Sequence, residues 1–202
     1  SFTLMALFIA RQGTVAAASH QIAASLAALL YMVPLSLAIA SSARVSYWIG
    51  AGEPSLARRV VGMSLGLSAL SATALALLLW LLSQQIPAWF SRNPEVVIAA
   101  SSLLGWVALY HLADSVQALC AFLLRCYRIT LVPLLIYGVL LWGLGLAGGY
   151  FLAYGGSASL PAAPNPASFW SAATLALAAV ALSFLALLWR AMQASRDSAT
   201  SP

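Results

Sequence analysis

Five long, predominantly apolar stretches separated by short polar breaks constrain this chain more than any other feature. A helix needs about 20 apolar residues to cross the roughly 30 Å hydrocarbon core of a bilayer. In lipid, every backbone N–H and C=O must also find its partner inside the segment or in a closed barrel. Barrel strands alternate apolar and polar residues with a period of two, and these runs do not alternate. The expected fold class is therefore all-α, a polytopic membrane helix bundle. Composition agrees: 63% of the 202 residues are hydrophobic and only 6% are charged, against about 25% charged in an ordinary soluble domain. The net charge of +5 comes from nine arginines and no lysine. Those arginines stand singly or in pairs between the apolar stretches, so they act as topology signals and no nucleic-acid partner is expected.

Start and stop signals divide the chain. A short apolar segment over 1–11 is too brief to span and reads as a truncated helix, because about ten residues cover only about 15 Å. Complete spans follow at about 14–44, 55–82, 94–125, 129–154 and 167–190, within a transmembrane unit covering 1–192. Residues 193–202 form a polar tail. Pro54 with Ser55, and Asn93-Pro94-Glu95, are helix starts. No basic n-region precedes Phe2, so a signal peptide is not expected, and the chain reads as the C-terminal part of a longer membrane protein.

Alternating the helix ends puts seven arginines (44, 58, 59, 125, 128, 190 and 196) on one side and two, Arg11 and Arg92, on the other. By the positive-inside rule the first side is cytoplasmic, together with the C-terminus. Trp170 and Trp189 lie about 28 Å apart on a helix, which suits one at each interface, and Trp89 anchors another end. Cys120 and Cys126 are six positions apart and turn to different faces, so neither a disulfide nor a metal pair fits.

Chemistry centres on Asp114, the one acid inside an apolar span. It lies about 16 Å from the Arg125 end, near mid-membrane. An acid there costs at least about 2.5 kcal/mol, so it is read as an inward-facing group on an ion or proton path, or else as a polar clasp between helices. Tyr110, Asp114 and Gln117 fall at i, i+4 and i+7 and form one polar stripe. Tyr110 can donate a hydrogen bond to the acid or offer its ring to a cation, or simply pack. Gln117 fits either a ligand or an interhelical clasp. Gln21 and Ser25, at i and i+4, begin a second stripe that continues through Leu29 to Met32-Val33-Pro34 and can line a cavity. His20 is read as interfacial or a proton relay, and His111 as a packed residue or a buried hydrogen bond. The Gly62-xxx-Gly66 and Gly145-xxx-Gly149 spacings are expected to let helices approach closely, with Ser64, Ser68 and Ser71 doing likewise.

The run Ala18-Ser19-His20-Gln21-Ile22-Ala23, then Met32-Val33-Pro34-Leu35-Ser36, Ala43-Arg44-Val45 and Gly50-Ala51-Gly52-Glu53-Pro54, resembles the multidrug and toxic compound extrusion (MATE) transporters, in particular their NorM-like branch. The segment Tyr110 to Gln117 is similar to the acidic part of the family's tenth helix, and Leu124-Arg125-Cys126-Tyr127 to its cytoplasmic end. The resemblance implies one lobe of a twelve-helix transporter, the C-terminal one, with the five spans as helices eight to twelve. It also implies a multi-pass protein of the bacterial inner (plasma) membrane that exchanges Na⁺ or H⁺ for cationic or amphipathic organic compounds.

No cofactor is implied beyond the coupling ion. The resemblance carries the coupling role onto Asp114, with Tyr110 as companion, and makes Asp114 a metal ligand only if the ion is Na⁺. Gln21, Ser25 and Gln117 become substrate-cavity residues, and the partners become lipid, small organic cations or drugs, and a missing N-terminal lobe. Three features depart from the family pattern. A glutamate typical of helix seven in Na⁺-coupled members would precede Ser1; Ser25 stands where relatives often have Asn, and Cys126 where they often have Gly. Two other classes compete: a non-transporting membrane scaffold with Asp114 as clasp, and a membrane enzyme. An enzyme would need a nucleophile with its base, a metal cluster or a paired acid, and the spans offer one carboxylate and two scattered histidines.

Overall fold

The computed structural model describes residues 2–155, 162 and 164–200. Most of the loop between the last two spans lies outside them, as does the side chain of Arg196. All regular structure among the described residues is helical: α1 (Phe2–Ala10), α2 (Thr14–Gly50), α3 (Pro54–Leu81), α4 (Ile86–Phe90), α5 (Pro94–Cys126), α6 (Leu131–Gly155) and α7 (Pro166–Thr200). Five of these, α2, α3, α5, α6 and α7, are long and apolar enough to cross a membrane.

The helix boundaries follow local chemistry. Pro94 opens α5 while Asn93 Oδ1 accepts the Glu95 backbone N–H at 2.9 Å, which satisfies one of the unpaired donors of the first turn. Pro54 occupies the same opening position in α3. Helix α2 closes at Gly52, whose φ of +75° suits glycine, and Glu53 N–H returns to the Trp48 carbonyl at 2.9 Å. At the end of α5 the left-handed residue is Arg128, with φ of +61°, and Ile129 N–H bonds to the Leu124 carbonyl at 3.0 Å. Two helices run beyond the spans read from the sequence: α2 continues past 44 to Gly50, and α7 continues past 190 to Thr200, so most of the segment read as a polar tail is helical. Helix α6 is not α-helical throughout. Its turns loosen into π-helix at Leu141–Ala147 and Phe151–Gly155.

Helix α5 is the hub of the bundle. It packs against α2, α3 and α7, while α6 rests on α7. The apolar core forms two clusters, one toward each end. The first gathers Met5, Ile22, Leu26, Leu104, Val107, Tyr110, Phe169, Trp170 and Leu177. The second gathers Val45, Val61, Leu119, Leu123, Val180, Phe184 and Leu188, at the end where Arg44, Arg58, Arg59, Arg125, Arg128 and Arg190 fall. The two are separate along α5, where Asp114 and Ser115 belong to neither, and along α2, where Tyr31 to Ser36 lie between Ala27 and Ala38.

Several packing expectations are settled. Gly145 and Gly149 bring α6 against α7: a Cβ on Gly149 would stand 2.8 Å from the Phe169 ring and 3.1 Å from its Cα, and one on Gly145 would meet Ala176 at 3.5 Å. Gly62 and Gly66 do not play this part, because nothing lies within 4 Å of a Cβ on either. Their face of α3, with Met63, Leu67 and Leu70, is exposed. Helix α3 packs instead through Ala57, Val61, Ser64, Ser68, Ala72, Ala76 and Leu79, the opposite stripe. Trp170 is also corrected. It is fully buried inside the bundle and not set on the outer surface, because it shares the inward stripe of α7 with Leu177 and Phe184. Trp189 and Trp89 are exposed.

The Gly149 contact makes a prediction. Gly149→Ala is expected to destabilise the purified protein by about 1–3 kcal/mol through overpacking against backbone. Gly145→Ala and Gly62→Ala should stay within about 1 kcal/mol of the parent, and thermal unfolding in detergent separates the cases.

Candidate functional site

The site is built at the gap between the two core clusters. Asp114 projects from α5, the helix that packs against α2, α3 and α7, and its side chain is half-buried. Tyr110, one turn away on the same helix, is buried at 6% exposure with its ring edge-on to Trp170 at 5.7 Å. Two further tyrosines approach from other helices: Tyr31 from α2 and Tyr137 from α6, both half-buried. The Asp114 carboxylate acts electrostatically on all three phenols. The three phenols come from three helices, and the charge of Asp114 reaches each of them. Arg125, nearly three turns toward the basic end, adds a positive field felt at Tyr31.

This arrangement can exchange a small hard cation or a proton. A carboxylate with phenolic oxygens offers hard oxygen ligands, and the same oxygens can pass a proton. Among the described residues no group of three or more His, Cys, Asp or Glu converges, so any cation held here rests on the carboxylate and neutral oxygens.

The other sequence-derived candidates separate from this centre. Gln117 is half-buried and lines a recess of about 380 Å³ between α5, α6 and α7, together with Arg125, Thr130, Tyr137 and Phe184. Tyr137, which also lines this recess, is one of the phenols that the charge of Asp114 reaches. Gln21 and Ser25 lie elsewhere, on the exposed face of α2, where Gln21 Nε2 donates to Ser25 Oγ at 3.5 Å. From Tyr31 they are displaced by about 9–15 Å toward the other end of the helix. That exposed face continues as Ala28, Leu29, Met32, Ser36, Ala40 and Ala43, a strip with no partner among the described residues.

The histidines take no part in the centre. His20 is buried, with its ring 5.9 Å from that of Trp170. His111 is buried at 1% exposure, and neither of its ring nitrogens has a hydrogen-bond partner among the described residues. Pro34 is buried within a helix that continues through it. Cys126 Sγ donates to the Ser42 carbonyl at 3.4 Å, tying the end of α5 to α2. Tyr31 and Tyr137 were missed in the sequence because neither has a polar residue three or four positions away on its own helix. The one available signal was that Tyr31 sits in the middle of its span, away from the interfacial belts that tyrosines favour.

The α2 strip is tested by accessibility. In the full-length protein with Cys120 and Cys126 replaced by alanine, Gln21→Cys and Ser25→Cys are expected to react with a membrane-impermeant maleimide. Leu70→Cys, on the apolar outer face of α3, should not. Equal protection at all three positions would make the α2 strip a lipid-facing surface.

Comparisons with known proteins agree with this architecture. The MatE family pattern matches residues 1–151. The chain is 39% identical over 176 residues to a probable multidrug resistance protein NorM of Aromatoleum aromaticum, covering 87% of this chain and 38% of that protein. It is 36% identical to the multidrug resistance protein MdtK of Proteus mirabilis, with 93% of this chain and 41% of the relative covered. A probable NorM of Neisseria meningitidis is 31% identical across 100% of this chain and 42% of its own length. Among solved structures, the eukaryotic MATE transporter AtDTX14 superposes with a TM-score of 0.75 at 19% identity, over 91% of this chain and 41% of the other. At that identity the likeness speaks for the fold. The chain spans roughly two fifths of the curated relatives it matches.

Proposed function

The chain belongs to the MatE family, on its NorM-like branch, and from that premise we propose that it forms the C-terminal lobe of a secondary multidrug antiporter in the bacterial inner membrane, its C-terminus in the cytoplasm. The exchange is Na⁺ or H⁺ inward against cationic or amphipathic organic compounds outward. Asp114 is the coupling group, and an N-terminal lobe completes the transport path. The observation that supports this reading is a mid-span carboxylate on the helix that packs against α2, α3 and α7, with Tyr110 one turn away and Tyr31 and Tyr137 of two other helices within reach of its charge.

The chemistry follows from charge. An ionised Asp114 favours a cation nearby, whether Na⁺, a proton or a cationic drug, and loading it with one weakens its hold on another. Were Na⁺ the ion, the carboxylate would be its anionic ligand and the three phenols its neutral ones. Were it H⁺, the same carboxyl would carry the proton, with Tyr110 able to hydrogen-bond either form. Gln117, beside Tyr137, and the α2 strip bearing Gln21 and Ser25 then line the substrate cavity, the strip facing the other lobe. No covalent chemistry is needed, and the protein acts as a transporter and not as an enzyme.

In the full-length protein, Asp114→Asn is expected to lower gradient-driven efflux of a cationic dye at least tenfold while membrane insertion is retained, since the amide keeps the shape and removes the charge. Tyr110→Phe should do less damage, because it keeps the ring. The assay uses vesicles under an imposed Na⁺ or H⁺ gradient. Unchanged efflux by Asp114→Asn would remove Asp114 from coupling. The 202-residue chain alone should drive no efflux in liposomes.

A further inference from the structure

Two arginines stand level across the α2–α3 hairpin, away from the Asp114 centre. Arg44 lies six residues before the end of α2 at Gly50, and Arg59 five residues after the start of α3 at Pro54. Because the two helices run antiparallel, each arginine is about 8 Å below the hairpin tip. Between them runs an open groove of about 460 Å³ lined by both arginines together with Trp48, Val60, Met63 and Leu67. Both guanidinium groups are exposed, and neither has an ion-pair or hydrogen-bond partner among the described residues. Their neighbour Arg58 is half-buried, and its charge opposes the rise in the Tyr127 phenol's pKa that burial and Cys126 bring about.

Along the groove the chemistry changes in one direction. The cations and the Trp48 indole lie at the outer end, where a tryptophan suits the membrane interface. Toward the bundle's middle the wall becomes Val60, Met63 and Leu67, with Met63 and Leu67 59% and 53% exposed. From Arg59 to Leu67 the wall rises about 12 Å. No acidic side chain lines it. A molecule with an anionic head and an apolar tail matches this order: guanidinium N–H groups pair with phosphate oxygens in a planar fork, while the tail covers the apolar wall. Basic recesses between membrane helices bind anionic lipid headgroups in the same way. A zwitterionic lipid fits less well, because its ammonium would meet two arginines and no carboxylate.

We propose that this groove binds an anionic phospholipid, its phosphate held between Arg44 and Arg59 and the first part of an acyl chain laid on Met63 and Leu67. The lipid clamps the α2–α3 hairpin at the basic end of the bundle. The inference is independent of ion coupling, because no residue of the Asp114 centre takes part.

The test is native mass spectrometry of the full-length protein in detergent, titrated with phosphatidylglycerol or phosphatidylethanolamine of identical acyl chains, and with inorganic phosphate alone. Retention of phosphatidylglycerol over phosphatidylethanolamine is expected, with no competition from inorganic phosphate at equal concentration. The pair Arg44→Gln and Arg59→Gln should weaken phosphatidylglycerol retention about 25-fold, from the usual contribution of an arginine near an anionic surface. The pair Arg128→Gln and Arg190→Gln removes the same charge from the same end and should leave retention within about twofold. Equal retention of the two lipids, equal loss in both pairs, or competition by phosphate alone would overturn the proposal. So would finding the groove covered by a second copy of the chain or by another part of the protein. Should the Arg44 and Arg59 pair fail to fold, the two-lipid comparison on the unmodified protein still decides.

Discussion

A single carboxylate at mid-membrane depth is the constraint around which the bundle is organised. Placing an acid there costs at least about 2.5 kcal/mol if it faces lipid. Asp114 is carried instead on α5, the helix packed against α2, α3 and α7, and three phenols from α2, α5 and α6 share its surroundings. Apolar packing is continuous above and below this level but divided at it. On α5 the first cluster reaches Ala113 and the second begins at Val116. A polar side chain fits poorly in a close-packed apolar core, and the division leaves Asp114 a place.

The same division separates what the two ends of the bundle do. The end with Arg11 and Arg92 is locked by aromatic contacts: Phe8 of α1 meets Tyr150 of α6 at 5.1 Å and Phe169 of α7 at 6.2 Å, and Tyr154 Oη donates to the Phe8 carbonyl at 2.9 Å. The basic end is held by aliphatic packing and by the Cys126 to Ser42 contact. Six of the nine arginines gather at this end. Between the ends, the exposed strip of α2 mixes small and polar residues (Gln21, Ser25, Ser36, Ala40, Ala43) with Leu29 and Met32, whereas the outer faces of α3 and α6 bear Leu and Trp. On the proposed reading, a second lobe set against that strip would enclose a cavity on the same helix as Tyr31.

Much of the fold was legible because membrane helices announce themselves through length and hydropathy, and because Asn93-Pro94-Glu95 and Gly50 to Pro54 carry their own start and stop chemistry. What failed to read depends on which way a face points, and in a uniformly apolar sequence periodicity carries little of that information. Trp170 looked like an interfacial anchor by its distance from Trp189, but it lies on the stripe that meets Tyr110 and His20. Gly62 and Gly66 had the spacing of a packing motif, yet the small residues that contact neighbours are Ala57, Ser64, Ser68 and Ala72 on the other side of α3. The π turns of α6 have no simple signature, though three of the glycines at 143, 145, 148 and 149 fall within or beside the first of them. At the site, Asp114 and Tyr110 were readable from one helix, because i, i+4 spacing is local. Tyr31 and Tyr137 join them only through tertiary packing of α2 and α6.

The central claim is that Asp114 is where the coupling ion and the substrate compete. The direct measurement is equilibrium binding of a cationic substrate to the full-length protein and to its Asp114→Asn form, titrated against Na⁺ at fixed pH and against pH at fixed Na⁺. The account predicts that substrate affinity in the unmodified protein falls as one of the two ions is raised, by tenfold or more across the titration, and that the Asn form shows no dependence on that ion. Retention of the same ion dependence after Asp114→Asn would contradict it and return Asp114 to the role of a polar clasp between helices.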